Sequence, residues 1–128
     1  MKMIALGYSL LLMVSLGVNA QTASEYDDLY SACLDQAGSI NNGVVMECSG
    51  EVAEQAEIEM TQRYNSIYAR LVADSPDDAQ KLESSQSAWR VYRDTQCELA
   101  GMYVGSPMYG FCPMQLNAAR ALELREFD

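Results

Sequence analysis

Four cysteines at two equal spacings constrain the fold of this chain more than any other feature. Cys33 and Cys48 lie 15 positions apart, and so do Cys97 and Cys112. A zinc site is the weaker interpretation, because the sequence contains no His and no C-x-x-C pair. Four cysteines allow three pairings. The equal spacing favours Cys33–Cys48 with Cys97–Cys112, where each bridge closes a local loop and contributes about 3 kcal/mol.

The N-terminal segment predicts export, which supports disulfide formation. Lys2 precedes an almost wholly apolar run over 4–18, and the segment ends in compact residues at Ala20, as in a signal peptide. The alternative is an uncleaved membrane anchor, but the run is shorter than the roughly 20 residues that span a bilayer. We expect cleavage after Ala20. The remaining residues, 21–128, would form a single domain in the periplasm or outside the cell, without a membrane anchor.

The charge balance excludes some partners and favours others. The chain has 18 acidic residues against 8 basic ones, a formal net charge of −10. Such a surface repels nucleic acid and anionic lipid. It attracts a basic protein, at a rate that falls as salt is added. The alternative is that the acidity only keeps an exported protein soluble.

Helix signals dominate the chain, and strand signals are scarce. A first helix is predicted over 24–37, where Ser24 and Asp27 form a capping box and Gly38 ends the helix. The segment 39–45 is predicted to be a loop. A last helix is predicted to begin at Pro113 and to reach about Phe127.

A long helical hairpin is predicted between these two helices. The second helix runs from about Met46 to Ala73, and the third from Ser75 to about Met102. Ser75 is the expected N-cap, followed by Pro76 at the first helical position and Asp78 in a capping box. The second helix carries a buried stripe: Val52, Ala56, Met60, Tyr64, Ile67 and Leu71. The connection is so short that the two helices must run antiparallel. The prediction is therefore an all-α fold, a small bundle of about four helices built on this hairpin, with two disulfides.

Two polar residues interrupt the apolar face of the third helix. Gln86 and Arg93 share that face with Trp89 and Cys97. Because an unpaired buried charge is costly, Arg93 must find a carboxylate or several carbonyls. We interpret Gln86, Trp89 and Arg93 as a structural latch, with Arg93 holding the 103–111 segment or Glu123. The alternative is that Arg93 anchors a ligand.

The segment between Cys97 and Cys112 is the predicted contact surface. Residues 103–111 are predicted to form a loop with two glycines and a proline. A disulfide across its ends would preorganise aromatic and Met side chains for contact with a protein. The predicted partner-binding residues are Tyr103, Ser106, Met108 and Tyr109. The alternative is that Tyr103 and Phe111 only cover the end of the core.

No catalytic or metal-binding constellation is present in the sequence. Without His there is no Ser-His or Cys-His nucleophile pair. The paired acids 27–28 and 77–78 lie at helix starts, where the helix dipole favours them. Glu47, Glu51 and Glu54 form an acidic stripe, which we interpret as a solvated face. We therefore predict no enzymatic activity, no cofactor and no metal.

These residues together resemble a known family. The quoted positions are the four cysteines, the segment 86–94 (Gln-Ser-Ala-Trp-Arg-Val-Tyr-Arg-Asp), Gly105-Ser106, Arg120 and Glu123-Leu124. In this pattern the chain resembles the LprI-type lysozyme-inhibitor family from Cys33 to Leu124. Two positions depart from it: Asn117 stands where a Thr is common, and Val104 stands where a second glycine often precedes Gly-Ser.

The resemblance implies a small exported bacterial helical domain that inhibits lysozyme. The expected function is therefore inhibition of lysozyme, or of a related basic cell-wall hydrolase, by protein–protein binding. One alternative is an envelope interaction or stress module with another protein partner and no effect on lysozyme. A third hypothesis is an enzyme that acts on cell-wall glycan through carboxylates.

Overall fold

The computed structural model describes residues 24–127, which form four helices and no strand. They are α1 (Glu25–Ala37), α2 (Asn42–Asp74), α3 (Pro76–Tyr103) and α4 (Met108–Arg125). The predicted all-α bundle is confirmed. Within this described range, no helix is long and apolar enough to cross a membrane. The predicted leader, 1–20, lies outside the described residues.

Successive helices run in opposite directions. Glu57 of α2 binds Arg90 and Arg93 of α3, so the predicted hairpin is antiparallel. The long-range pairs between α3 and α4 also run antiparallel, from Arg93–Asn117 to Gln86–Arg120. Helix α4 therefore lies parallel to α2, and it packs mainly against that helix.

The core lies between α2, α3 and α4. The predicted stripe of α2 points into it, with Ala56, Met60 and Ile67 almost fully buried. Helix α4 contributes the fully buried Ala121 and Leu124. Met114 and Ala118 lie on the same buried face of α4, whereas Phe127 is exposed.

Both predicted disulfides are present. Cys33–Cys48 joins α1 to α2, with the two Cα atoms 5.6 Å apart. Cys97–Cys112 joins the end of α3 to the start of α4, with its Cα atoms 5.4 Å apart. Helix α1 is the most peripheral element, because Tyr26 is its only buried residue. The first bridge therefore attaches a helix that has little core of its own.

The start of α2 differs from the prediction. The segment 39–45 is not all loop, because the helix begins at Asn42. Asn41 is the N-cap, and its side chain accepts a hydrogen bond from the Val44 N–H at 3.1 Å. This cap, together with helix packing, outweighs the low helix propensity of Gly43 and Gly50.

The start of α4 also differs from the prediction. Only residues 104–107 connect α3 to α4, so the second half of the predicted 103–111 loop is helical. Pro113 lies inside the helix rather than at its first position. The first turn of α4 is set by Pro107, whose carbonyl accepts from the Phe111 N–H at 3.0 Å. Cys112 then holds this turn against α3.

The predicted capping box at the start of α3 is wrong in detail. Ser75 is the N-cap and Pro76 opens the helix, as expected. However, the Ser75 hydroxyl donates to the Asp78 carboxylate at 2.8 Å and accepts no backbone N–H of the helix. Ser75 also ends α2, with its own N–H bonded to the Leu71 carbonyl at 2.7 Å. Because Ser75 ends α2 and also begins α3, its backbone φ and ψ angles lie outside the range that is usual for an N-cap.

Gly110 permits the close approach of α4 to α2. A Cβ atom at this position would lie 2.6 Å from Ser49 Oγ and 3.2 Å from the Met46 carbonyl oxygen. Ser49 cannot easily move, because it is fully buried and its hydroxyl donates to the Val45 carbonyl at 2.6 Å. The backbones of the two helices therefore require a residue without a side chain here.

We expect Gly110→Ala to lower the free energy of unfolding by about 1–3 kcal/mol, because the added methyl group forces the helices apart. The control is Gly50→Ala on the exposed face of α2, where an added Cβ meets nothing within 4 Å. That change should raise stability by about 0.5–1 kcal/mol through helix propensity. Urea titrations followed by circular dichroism measure both. A Gly110→Ala variant as stable as the parent would contradict this packing.

Candidate functional site

Arg93 joins three helices. Its guanidinium Nη1 donates to Glu57 Oε2 of α2 at 2.8 Å and to Asn117 Oδ1 of α4 at 3.1 Å. It also pairs with the neighbouring Asp94 and lies over the Trp89 ring, 5.3 Å from its centroid. Only 16% of the side chain is exposed. The charge is therefore neutralised and hydrogen-bonded, as a largely buried guanidinium requires.

Asn117 extends this network into the core. The residue is 4% exposed, and its Nδ2 donates to the Ala53 carbonyl of α2 at 3.1 Å. Its side chain thus connects Arg93 to the α2 backbone. The amide of Asn117 is therefore used at both of its ends.

Gln86 takes part in a second polar contact, about two turns before Arg93 on α3. Its Oε1 accepts from Arg120 Nε of α4 at 3.0 Å, and Arg120 also pairs with Glu123. The Nε2 of Gln86 is buried without a hydrogen-bond partner. Gln86, Trp89 and Arg93 therefore all lie at the junction of α3 with its neighbours.

The partners that we expected for Arg93 are not the ones found. Glu123 is bound by Arg120, and the 103–111 segment makes no hydrogen bond to Arg93 among the described residues. The actual partner, Glu57, lies 36 residues before Arg93 in the chain. The latch role itself remains a prediction, which this geometry makes specific.

Sequence reasoning missed a second ionic cluster, centred on Glu59 of α2. Its carboxylate accepts from Arg125 Nε of α4 and from Arg63 Nε, each at 2.6 Å. The Tyr26 hydroxyl of α1 also donates to it. The cluster thus ties α1 and α4 to the middle of α2. A sequence signal for it is the i,i+4 spacing of Glu59 and Arg63 on α2.

The contacts in this cluster shift the pKa values of Glu59 and Tyr26 in opposite directions. The hydrogen bond from Arg125 is the main cause that lowers the pKa of Glu59 from 4.5 to about 2, against the opposing effect of burial. Burial, together with the hydrogen bond to Glu59, raises the pKa of Tyr26. The folded state therefore holds Glu59 as a carboxylate and Tyr26 as a neutral donor.

A pH dependence of stability follows from Glu59. Its folded pKa lies below its ordinary value, so its contribution is fully present above pH 4.5 and is lost as the pH falls toward 2. We expect Glu59→Gln to lower the free energy of unfolding at pH 7 by on the order of 2 kcal/mol, after allowance for solvent screening. The difference from the parent should shrink between pH 4.5 and 2.

Urea titrations across this pH range measure the effect. The matched control is Glu54→Gln, an exposed carboxylate on the same helix, which should change stability little at any pH. A Glu59→Gln deficit that stays constant down to pH 2 would show that lost packing, rather than lost charge, causes the effect.

The four predicted contact residues lie around the turn between α3 and α4. Tyr103, the last residue of α3, is 80% exposed, and Ser106 is exposed in the turn. Met108 is half-buried at the first position of α4. Tyr109 is half-exposed, and its ring lies directly against Gly101, where any side chain would overlap it. The structure thus brings the four residues to one end of the bundle, beside the Cys97–Cys112 bridge.

Basic residues of the described part of the chain are largely neutralised by internal contacts. Each of the following lies within 3.0 Å of a carboxylate oxygen: Arg63, Lys81, Arg90, Arg93, Arg120 and Arg125. The surplus acids therefore determine the charge of the surface. Within residues 24–127, no three acidic, Cys or His residues are grouped so that they hold a metal ion.

Comparison with known proteins identifies the family. A family model described as lysozyme inhibitor LprI matches residues 30–124. No curated protein and no solved structure matches the chain. The matched region covers the four cysteines, the Arg93 network and the turn between α3 and α4. The chain therefore belongs to the LprI lysozyme-inhibitor family.

Proposed function

We propose that this protein binds lysozyme, or a related basic cell-wall hydrolase, and inhibits it by protein–protein contact. The observation that carries this proposal is the family match over residues 30–124. Inhibition of this kind requires no chemistry from the inhibitor, only a surface that excludes substrate from the enzyme. It is therefore compatible with a chain that has no His and whose cysteines are all in disulfides.

The charge of the protein supports a basic partner. The net charge is −10, and most of the basic side chains are already paired internally. A basic hydrolase would be attracted over several ångströms at low salt, and the attraction would weaken as salt screens it.

The proposed contact surface includes the turn between α3 and α4, with Tyr103, Ser106, Met108 and Tyr109. Aromatic and Met side chains are enriched at protein interfaces. The disulfide at the base of this turn reduces the conformational freedom that binding would otherwise cost. A rigid projection of this kind suits insertion into an enzyme cleft.

We further propose that the protein is exported and acts in the periplasm or outside the cell. Its two disulfides support an oxidising compartment, since such bridges are rare in the cytosol. The predicted leader, 1–20, would direct this export.

A clearing assay tests the inhibition directly. Lysozyme degrades a cell-wall suspension while the oxidised domain is added in increasing molar excess, at low ionic strength. We expect the rate of clearing to fall to near zero, and to recover when salt is raised. An unchanged rate at micromolar excess would contradict inhibition and favour an envelope module with another partner. Degradation of cell wall by the protein alone would instead indicate an enzyme.

A further inference from the structure

The solvent-facing side of α3 carries an apolar stripe that no other helix of residues 24–127 covers. Its members recur at intervals of three or four residues, which places them on one face over more than three turns. We call this face the outer stripe: Val91, Tyr92, Thr95, Leu99, Met102 and Tyr103. The large side chains among them are 51% to 80% exposed. A row of exposed large apolar side chains on one helix face is typical of an interaction site in a soluble protein.

The outer stripe is uncharged although the surrounding protein is strongly acidic. The two arginines of the same segment, Arg90 and Arg93, turn away from it toward Glu57. Asp94 and Glu98 are exposed along one edge. A helix face that only contacts water needs no such segregation, since charged residues are the usual occupants of exposed helix positions. An apolar centre with a charged rim is typical of a protein interface.

The stripe is continuous with the proposed contact surface at the turn. Tyr103 belongs to both, because it ends α3 and lies at the base of the turn. A partner seated on the turn would therefore meet the outer stripe as it extends along α3. The two together form one surface along one side and one end of the bundle.

We propose that the outer stripe is the main docking face for the basic hydrolase, with the turn between α3 and α4 at one end of the interface. This inference rests on the proposed function and adds the surface that performs it. A second copy of the chain fits less well, because two chains of net charge −10 would meet along acidic edges. A basic partner instead complements the exposed Glu98 at the edge of the stripe while it buries the apolar centre.

The test compares two substitutions of equal charge and equal starting exposure. Leu99 on the stripe and Ile58 on α2 are each 51% exposed. Affinity for lysozyme is measured by titration calorimetry for the parent chain, Leu99→Lys and Ile58→Lys, with thermal unfolding as the check on folding. We expect Leu99→Lys to bind at least about tenfold more weakly, because it places a cation against a basic partner. Ile58→Lys should stay within about twofold of the parent.

Each outcome separates this inference from the function on which it rests. If the parent binds and Leu99→Lys binds equally well, the docking face is wrong while the proposed function stands. If the parent does not bind lysozyme, the function fails and the inference falls with it. Light scattering, which measures the oligomeric state, provides a third test. A parent dimer that Leu99→Lys converts to monomers would assign the stripe to self-association and overturn the proposal.

If Leu99→Lys fails to fold, Met102→Ala provides the second variant, since truncation of an exposed side chain in a helix preserves the backbone. It should weaken binding severalfold while the unfolding temperature stays unchanged. Unaltered affinity of a folded Met102→Ala, together with that of Tyr103→Ala, would overturn the docking face.

Discussion

Replacing Arg93 by Ala should lower the free energy of unfolding by about 2–3 kcal/mol. The substitution leaves Glu57 without its most buried partner and leaves the amide oxygen of Asn117, which is 4% exposed, without its donor. Uncompensated polar groups of this kind cost more than the original contact contributed. Three helices are joined at this point, so the loss should reduce the stability of the whole domain rather than loosen one end.

Arg90→Ala is the matched control. Arg90 lies on the same helix and binds the same carboxylate, Glu57, at 2.8 Å, but 40% of its side chain is exposed. Its removal should cost under about 1 kcal/mol, as is usual for exposed ion pairs. Urea titrations of both variants give the comparison. A folded Arg93→Ala of parental stability that no longer binds lysozyme would reverse the assignment and make Arg93 a ligand anchor.

Removing the Cys97–Cys112 bridge should lower the free energy of unfolding about as much as Arg93→Ala does. It should also weaken binding to lysozyme. A closed loop of this length contributes about 3 kcal/mol in the chain-entropy model. The double variant Cys97→Ala/Cys112→Ala should unfold at correspondingly lower urea. The turn between α3 and α4 also loses its brace, so affinity for lysozyme should fall because more conformational freedom is lost on binding.

The other disulfide is the internal control for that second effect. Cys33–Cys48 has the same sequence separation of 15, but it joins α1 to α2 and does not close the connection between α3 and α4. Cys33→Ala/Cys48→Ala should lose similar stability and keep its affinity when measured well below its unfolding temperature. Equal loss of affinity in both double variants would show that the bridges act only through overall stability.

Much of the fold could be predicted because its causes are local. The capping box of α1, the apolar stripe of α2 and the short connection at Ser75 are all readable from neighbouring residues. The disulfide pairing could be predicted for the same reason, since each bridge joins helices adjacent in sequence. Such features depend on contacts within a few turns of the chain.

The features that sequence reasoning missed depend on distant contacts. The close packing of Gly110 of α4 against Ser49 of α2 is a contact that no local pattern shows. Arg93 could be recognised as requiring a partner, but its partner Glu57 is defined only by how α2 and α3 align. For the candidate site, the residues at the turn follow from composition and spacing. The outer stripe could be recognised only from the structure, because the sequence does not show which face of α3 the other helices leave uncovered.

Binding of the oxidised domain to lysozyme, measured by titration calorimetry at two salt concentrations, is the most direct test of the proposed function. We expect a one-to-one complex at about 50 mM salt, with an affinity that weakens severalfold at about 300 mM as the charges are screened. Absence of binding at the lower salt concentration, with the domain folded and both bridges formed, would contradict it.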